Sequence, residues 1–212
     1  MIAPEGWPFV LAPIGVGSLL WLAGWPRLGL VFIAFGLFSL AFFRDPERSC
    51  EGDELTVCSP ADGKIVFVGA SPPELAEQGL PRQLSIFMSV FNVHVNRAAI
   101  SGTLVDYSYH KGRKISAFKD KASLENEQNL SLWEGPAGRV GLKQIAGLVA
   151  RRIVFDHEPG DEVARGERIG LIRYGSRVDV FVPDDAAILV SLGDTVRAGA
   201  TPVASFASAG QP

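Results

Sequence analysis

The chain contains few of the residue types that would define a function by themselves. Its 212 residues include two cysteines and three histidines, and 20 basic residues nearly balance 23 acidic ones. The net charge of -3 gives no general reason to expect a nucleic-acid partner. The spacing of Cys50 and Cys58 matches no zinc site, redox motif or multi-bridge framework. Free thiols are therefore expected, and no metal site is predicted.

Charge is also missing from two long stretches near the N-terminus. Trp7 to Gly24 and Leu28 to Phe43 are uncharged and largely apolar, and Trp25-Pro26-Arg27 separates them. Each run is short for a spanning helix, which needs about 20 residues. A cleaved signal peptide is disfavoured, because no basic residue precedes the first run and a second run follows at once. We expect a helical hairpin in residues 1–48, which either spans the membrane or lies in one leaflet.

Basic residues beside the second run indicate the side of the membrane on which the rest of the chain lies. Arg44 and Arg48 follow this run directly, which favours a cytoplasmic position under the positive-inside tendency. Arg27 in the connecting turn weakly favours the opposite orientation. The predicted location is the cell membrane, with the main domain on the cytoplasmic side.

Residues 49–212 are predicted to form a mainly β domain, because short apolar or alternating runs are separated by turn residues. A helical turn is expected around Pro73 to Gln78, and Ala146 to Arg151 is ambiguous between strand and helix. The predicted strands are Thr56 to Cys58, Gly63 to Val68, Leu84 to Val90, Gly102 to Tyr107, Val140 to Ile145, Arg152 to Phe155, Ile169 to Ile172, Val178 to Val182 and Ile188 to Ser191.

An internal repeat narrows the fold class. The motif GDxVxxG occurs at Gly160 to Gly166 and again at Gly193 to Gly199, and an apolar strand follows each copy. The pattern resembles the barrel-sandwich unit of biotinyl and lipoyl carrier domains, in which the motif precedes a hairpin with a modified lysine at its tip. Counting from Gly160, the lysine position is Ser176. The predicted fold is a barrel-sandwich-hybrid-like β domain with an N-terminal apolar helical hairpin.

Gly175-Ser176 offers chemistry at this hairpin tip. A Gly-Ser pair alone is commonly only a turn. If a base removes the hydroxyl proton of Ser176, however, the oxygen can attack the Gly175 carbonyl and convert the peptide bond into an ester. Elimination across Cα and Cβ of Ser176 then breaks the chain, and hydrolysis leaves a pyruvoyl group at the new N-terminus.

Seven blocks of sequence resemble the short form of the phosphatidylserine decarboxylases, in the family's order. They are FFRDPER (42–48), SPADGKI (59–65), FMSVFNVHVNRA (87–98), GTLVDYSYHKG (102–112), DKASLENEQN (120–129), QIAGLVARRI (144–153) and GERIGLIRYGSRVDVFVP (166–183). The resemblance covers essentially everything from Phe42 to about Phe206.

The resemblance implies an enzyme and a way in which it is made. It implies a carboxy-lyase that converts phosphatidylserine to phosphatidylethanolamine and CO2 through a Schiff base with a covalent pyruvoyl group. This cofactor would form from Ser176 by autocatalytic cleavage of the Gly175–Ser176 bond. Fragments 1–175 and 176–212 would stay associated. The membrane phospholipid is then the substrate, and homo-oligomerisation is left open.

The resemblance also assigns roles to an aspartate and a histidine. Asp62, in an Asp-Gly turn that suits any hairpin, would orient the catalytic imidazole. His94 would act as the base for cleavage and later as a proton donor, since its ordinary pKa suits proton transfer near neutrality. Long-form enzymes have a second histidine three residues later, whereas this chain has Arg97 there.

Four residues are candidates for binding the substrate, although scattered surface charge would explain them equally well. A phosphodiester anion needs a cationic partner, which Arg97, Lys111 and Arg113 could provide. His110 matches the Tyr-His that precedes a glycine in the family.

Two other functions fit parts of the sequence. One is a membrane-tethered biotinyl/lipoyl-like module that binds or presents partners without catalysis. The other is a serine hydrolase with Ser176, His94 and Asp62 as its triad. Only the self-processing decarboxylase predicts two fragments from one gene on a denaturing gel.

Overall fold

The computed structural model describes residues 1–112, 126–147, 152–173 and 176–207. The chain divides into two compact units, Met1–Glu47 and Arg48–Pro212. The first unit is helical and the second is built from β-strands. The expectation of a mainly β protein with an apolar N-terminal helix pair is therefore confirmed.

The first unit is a hairpin of two apolar helices, α1 (Trp7–Leu22) and α2 (Pro26–Phe42), preceded by a 3-10 turn at Pro4–Gly6. Helical residues run without interruption from Pro4 to Leu22, and these 19 residues are long and apolar enough to cross a membrane. The helices approach closely at two glycines. A Cβ on Gly17 would lie 2.6 Å from the carbonyl oxygen of Gly29, so larger residues there would separate the helices.

The second unit contains a short helix, α3 (Pro73–Ala76), and fourteen strands among its described residues. The strands are β1 (Thr56–Cys58), β2 (Gly63–Ala70), β3 (Arg82–Met88), β4 (Val95–Arg97), β5 (Gly102–His110), β6 (Gln128–Gly135), β7 (Gly138–Ala146), β8 (Ile153–Phe155), β9 (Glu162–Val163), β10 (Arg168–Ile172), β11 (Ser176–Val182), β12 (Ala187–Ile188), β13 (Thr195–Val196) and β14 (Pro202–Ser205).

Eight of these strands form one antiparallel sheet in the order β13-β2-β3-β11-β7-β6-β5-β9. Two three-stranded sheets, β1-β14-β12 and β4-β10-β8, complete the unit. The core consists of one face of the large sheet and the apolar residues packed against it, with Val178, Val180 and Val182 at its centre. Strand β11 is buried along its whole length because β3 and β7 pair with its two edges.

The two GDxVxxG copies form the same local structure at the two edges of the large sheet. Gly160 and Gly193 both have a positive φ, 104° and 94°, which a side chain would disfavour. In each copy the aspartate accepts a hydrogen bond from the backbone N–H three residues earlier, at 2.9 Å for Asp161 and 2.8 Å for Asp194. The motif then continues into an edge strand, β9 in the first copy and β13 in the second.

Several expectations about local structure are revised. The cysteines are not free: Cys50 and Cys58 form a disulfide, with their Cα atoms 6.3 Å apart. A turn, in which Thr56 N–H donates to Asp53 O, folds the chain back and brings the two cysteines together. Residues 128–135 form strand β6, which the sequence did not predict. The ambiguous stretch from Ala146 begins with the last residue of β7, and its residues 148–151 lie outside the described part.

Candidate active site

Ser176 is the first residue of β11 and is fully buried. Its neighbours across the sheet are Met88, the last residue of β3, and Ala146, the last residue of β7. The hydroxyl of Ser176 donates to Met88 Sδ at 3.1 Å. Gly175, the predicted partner in cleavage, lies outside the described residues. The serine is thus held at one end of the central strand, among groups that exclude water.

His94 follows the loop that begins where β3 ends. Its backbone carbonyl accepts from Ile172 N–H at 3.2 Å, which fastens the residue to the end of β10. The ring is almost completely buried, and Nδ1 lies 2.9 Å from Asn92 O. A carbonyl oxygen can only accept, so Nδ1 carries the proton in the neutral ring and Nε2 is the basic nitrogen. This tautomer suits a general base.

Asp62 forms its hydrogen bonds with Arg48 and Ala198. The guanidinium of Arg48 forms a two-point ion pair with the carboxylate, and Ala198 N–H donates to Oδ1 at 2.8 Å. Arg48 also donates to Ala198 O at 3.1 Å. These contacts join the start of the β unit to the loop after β13. The role that the resemblance gives Asp62 in orienting the imidazole therefore stays a prediction.

The candidate substrate-binding residues that the structure describes, Arg97, His110 and Lys111, lie on different strands or loops. Arg97 lies in β4, half-buried, and its Nη1 donates to Gly166 O at 2.8 Å. His110 ends β5 and is exposed, as is Lys111, while Arg113 lies outside the described residues. His110 is at the same end of the sheet as Ser176 but three strands away, which is about 14 Å at ordinary strand spacing.

Two buried amides, Asn129 and Gln144, lie on the same face of the large sheet as Ser176, and a third, Asn96, belongs to β4 in a separate three-stranded sheet. We call Asn96, Asn129 and Gln144 the amide cluster; each is at most 1% exposed. Gln144 Nε2 donates to Asn96 Oδ1 at 2.7 Å, and Asn96 Nδ2 lies 3.9 Å from the same Met88 sulfur that Ser176 contacts. Asn129 is directly opposite Gln144 across the β6–β7 pair. A continuous chain of contacts therefore leads from the serine to Gln144.

The opposite face of β11 has buried charges. Arg177 donates from Nε to Asp179 Oδ1 at 2.6 Å and from Nη2 to Ser85 Oγ at 2.9 Å, and both charged residues are buried. Burial raises the pKa of Asp179 above its ordinary 3.8, although the charge of Arg177 opposes the shift. Lys143, opposite Asp179 on β7, has a pKa lowered from 10.5, chiefly by burial.

Sequence reasoning assigned no role to the amide cluster, to the Arg177–Asp179 pair or to the Arg48–Asp62 pair. The sequence did contain a signal for the Arg177–Asp179 pair. These opposite charges are two residues apart in an otherwise apolar strand, so their side chains must point to the same face. No local sequence pattern predicts the amide cluster or the Arg48–Asp62 pair, because their members come together only through contacts between distant parts of the chain.

Comparison with known proteins places this site in a family. The family model for phosphatidylserine decarboxylase matches residues 35–204. A phosphatidylserine decarboxylase proenzyme from Magnetococcus marinus is 47% identical over 207 residues, which is 95% of this chain and 93% of that protein. A phosphatidylserine decarboxylase proenzyme from Syntrophotalea carbinolica is 45% identical over 201 residues, 94% of each chain.

These matches extend over both units and include every residue of the site. The chain therefore belongs to the phosphatidylserine decarboxylase family, a family of carboxy-lyases. The resemblance seen in the seven sequence blocks is thereby confirmed, as is the prediction of an enzyme of the decarboxylase class.

Proposed function

We propose that the chain is a self-processing proenzyme whose mature form converts phosphatidylserine to phosphatidylethanolamine and CO2. The observation that carries the proposal is the position of Ser176. Ser176 is buried and begins the central strand β11. Counted from the first GDxVxxG copy, it occupies the position at which carrier domains have their modified lysine. The chain is also 47% identical to a phosphatidylserine decarboxylase proenzyme. Family membership supports the reaction class, and the serine supplies the atoms for processing.

The processing step needs a hydroxyl, a base and little water. His94 Nε2 takes the hydroxyl proton of Ser176, and Oγ attacks the carbonyl carbon of Gly175 as the peptide C–N bond breaks, which gives an ester. Loss of the Cα proton then expels the Gly175 carboxylate from Cβ. Water converts the remaining enamine to a ketone and ammonia leaves. Burial of Ser176 favours this route over direct hydrolysis, because few water molecules can compete at the ester.

The surroundings of Ser176 fit the pyruvoyl group that would result. The group is small and uncharged, and the Met88 sulfur and the Ala146 side chain leave it in apolar contact on both sides. When present, a pyruvoyl group supplies an electron sink for the carbon that loses CO2. We propose that His94 returns a proton to that carbon, because the hydrogen bond of Nδ1 to the Asn92 carbonyl leaves Nε2 as the nitrogen that exchanges the proton.

The fold supports continued association of the two fragments after the cut. Strand β11 belongs to the smaller fragment, and both of its neighbours, β3 and β7, belong to the larger one. The smaller fragment also contributes β13 to the edge of the large sheet and β14 to a second sheet. We propose that this shared hydrogen bonding keeps Ser176 in place.

We propose that the hairpin attaches the enzyme to the membrane that contains its substrate, with the β unit on the cytoplasmic side. The apolar length of residues 4–22 supports attachment, and the arginines after α2 support the orientation. In a reducing cytoplasm Cys50 and Cys58 would be kept as free thiols, whereas on the outer face of the membrane their disulfide would persist. Labelling of intact cells with a membrane-impermeant thiol reagent, with and without a reductant, tests the orientation: label that appears only after reduction would place the unit outside.

The test of the main proposal uses Ser176→Ala beside the parent. The parent should run as two bands on a denaturing gel, and its smaller fragment should be lighter by one ammonia than simple hydrolysis predicts. Ser176→Ala should remain one chain without decarboxylase activity. The hydroxyl oxygen is the nucleophile in the first step, and as the ester oxygen it leaves from Cβ in the elimination. Ser176→Thr is the matched variant: it keeps the hydroxyl and should be cut slowly. Efficient cleavage of Ser176→Ala after Gly175 would remove the mechanism.

A further inference from the structure

The amide cluster contains hydrogen-bonding atoms that have no partner in the part of the chain that the structure describes. Asn129 Nδ2, Asn129 Oδ1 and Gln144 Oε1 are buried and make no hydrogen bond there. Buried polar atoms are usually satisfied, since leaving them unpaired is costly. Elsewhere on the same strand face, Ser131 follows that rule: its Oγ donates to Leu142 O at 3.3 Å and accepts from Trp133 Nε1 at 2.9 Å. The unsatisfied atoms are thus a local feature of one end of the face.

The position of these atoms relates them to the reacting serine. Gln144 is two residues along β7 from Ala146, which faces Ser176, so its side chain is a diagonal neighbour of the serine. Asn129 is one strand farther from β11, opposite Gln144. A small ligand attached at Ser176 and extending towards β6 would meet first Gln144 and then Asn129.

The chemical types of the unsatisfied atoms define a ligand. Two carbonyl oxygens need N–H or O–H donors, and one amide nitrogen needs acceptors. A zwitterionic amino-acid group offers both, as an amine and a carboxylate. We propose that Gln144 and Asn129 form the subsite for the serine headgroup: Gln144 Oε1 accepts from the amine, and Asn129 Nδ2 donates to the carboxylate. This inference rests on the proposed function and assigns its substrate-selecting residues.

The two described side chains that we assign to the subsite are neutral, which suits the reaction. An arginine or lysine beside the carboxylate would bind it strongly in the ground state and would lose that interaction as CO2 leaves, which raises the barrier. An amide donor selects the carboxylate with a weaker interaction, and burial keeps water from replacing it. Asn96 fixes the orientation of Gln144 through its Oδ1 and is a positioning residue.

The test measures binding, with turnover prevented. In a full-length Ser176→Ala background, the affinities for water-dispersed, short-chain phosphatidylserine and phosphatidylethanolamine are compared by calorimetry. The two lipids differ in the carboxylate alone. The background should prefer phosphatidylserine by about ten- to a hundredfold, as expected for one hydrogen bond to a charged group. Asn129→Ala should bring the preference close to one, and the isosteric Asn129→Asp should reverse it through charge repulsion.

Ser131→Ala is the matched control, because it removes a buried hydroxyl from the same strand face two residues away from Asn129. It should keep the preference, and circular dichroism should show that all variants fold. A preference that survives in both Asn129 variants, or a background chain that binds the two lipids equally or not at all, would overturn the subsite. The proposed function is judged separately, by whether the parent with Ser176 produces two fragments and decarboxylates.

Discussion

The two faces of strand β11 are buried alike but are built for different tasks. On one face, Arg177 and Asp179 are charged, and each has a partner across the sheet or along the strand. On the other face, Ser176 lies near neutral amides, several of whose atoms make no hydrogen bond with the described residues. The first arrangement pairs its charges within the protein, and we propose that the second provides hydrogen-bonding atoms for a ligand. Adjacent residues of one strand can therefore serve stability and chemistry separately.

The largest effect that would sharpen this comparison is expected at His94, the proposed base for Ser176. His94→Ala should slow self-cleavage by roughly 10²- to 10⁴-fold, which is the usual contribution of a general base. The time course of fragment formation on a denaturing gel measures it. His157→Gln serves as control, because that ring packs on Trp133 and Phe155. Cleavage of His94→Ala at the parental rate would show that another base acts on Ser176.

The next effect concerns the charged face and should appear in stability. In the Ser176→Ala background, Arg177→Met or Asp179→Leu alone leaves one charge buried without its partner and should cost about 3–5 kcal/mol of unfolding free energy. The double variant should cost clearly less than the sum, because neither charge then remains. Urea unfolding of the four chains gives the coupling. Simple additivity would mean that the two side chains do not act as a pair.

A smaller effect is expected from removal of the helical hairpin, a change that leaves both faces of β11 intact. Deletion of residues 1–43 removes the helical hairpin, whereas Ser176 and both GDxVxxG copies lie in the unit that begins at Arg48. The shortened chain should still cut itself. Its turnover of phosphatidylserine in vesicles should fall by about a hundredfold, because attachment raises local concentration at the bilayer. Turnover of a short-chain, water-dispersed substrate should change little. An equal loss on both substrates would show that the hairpin helps to build the active site.

The smallest effect is a pH dependence on the charged face. Burial depresses the pKa of Lys143 below 10.5, so the folded chain releases this proton at a lower pH than the unfolded chain. Its contribution to stability is therefore present above pH 10.5 and is lost as the pH falls through the lower, folded-state pKa. Stability of the parent should rise slightly as the pH approaches 10.5, relative to Lys143→Met. Lys64→Met, an exposed position on β2, should keep the parental dependence.

Much of the fold was predictable because its signals are local. The apolar hairpin, the strand Thr56–Cys58 and the two GDxVxxG turns follow from composition, alternation and glycine positions. Strand β6 was missed because its inward positions include Asn129 and Ser131, which break the usual apolar alternation of a half-buried strand. The disulfide was missed because its two cysteines meet only through the turn at Asp53.

The candidate site also has a part that the sequence predicted and a part that it did not. Ser176 and His94 were predicted from motifs, and the structure puts Ser176 at the start of β11 and joins the His94 backbone to the end of β10. The Arg48 partner of Asp62 and the amide cluster depend on contacts between residues 14 to 48 positions apart. Such contacts are properties of strand order, which no short motif encodes. The sequence was enough to propose a reacting residue, but the residues that surround Ser176 could be identified only from the fold.

The central position of β11 also determines whether the protein can recover from unfolding. Before the cut, the strand enters the sheet as part of one chain, and folding is independent of concentration. After the proposed cut, 37 residues that include β11 become a separate molecule, whose insertion between β3 and β7 would be a second-order process. Unfolding of the mature enzyme should then be reversible only at high concentration, and at low concentration its lifetime would be set by the rate of unfolding. Only the uncut precursor can therefore fold as a single chain, and each molecule does so once, before it is cut.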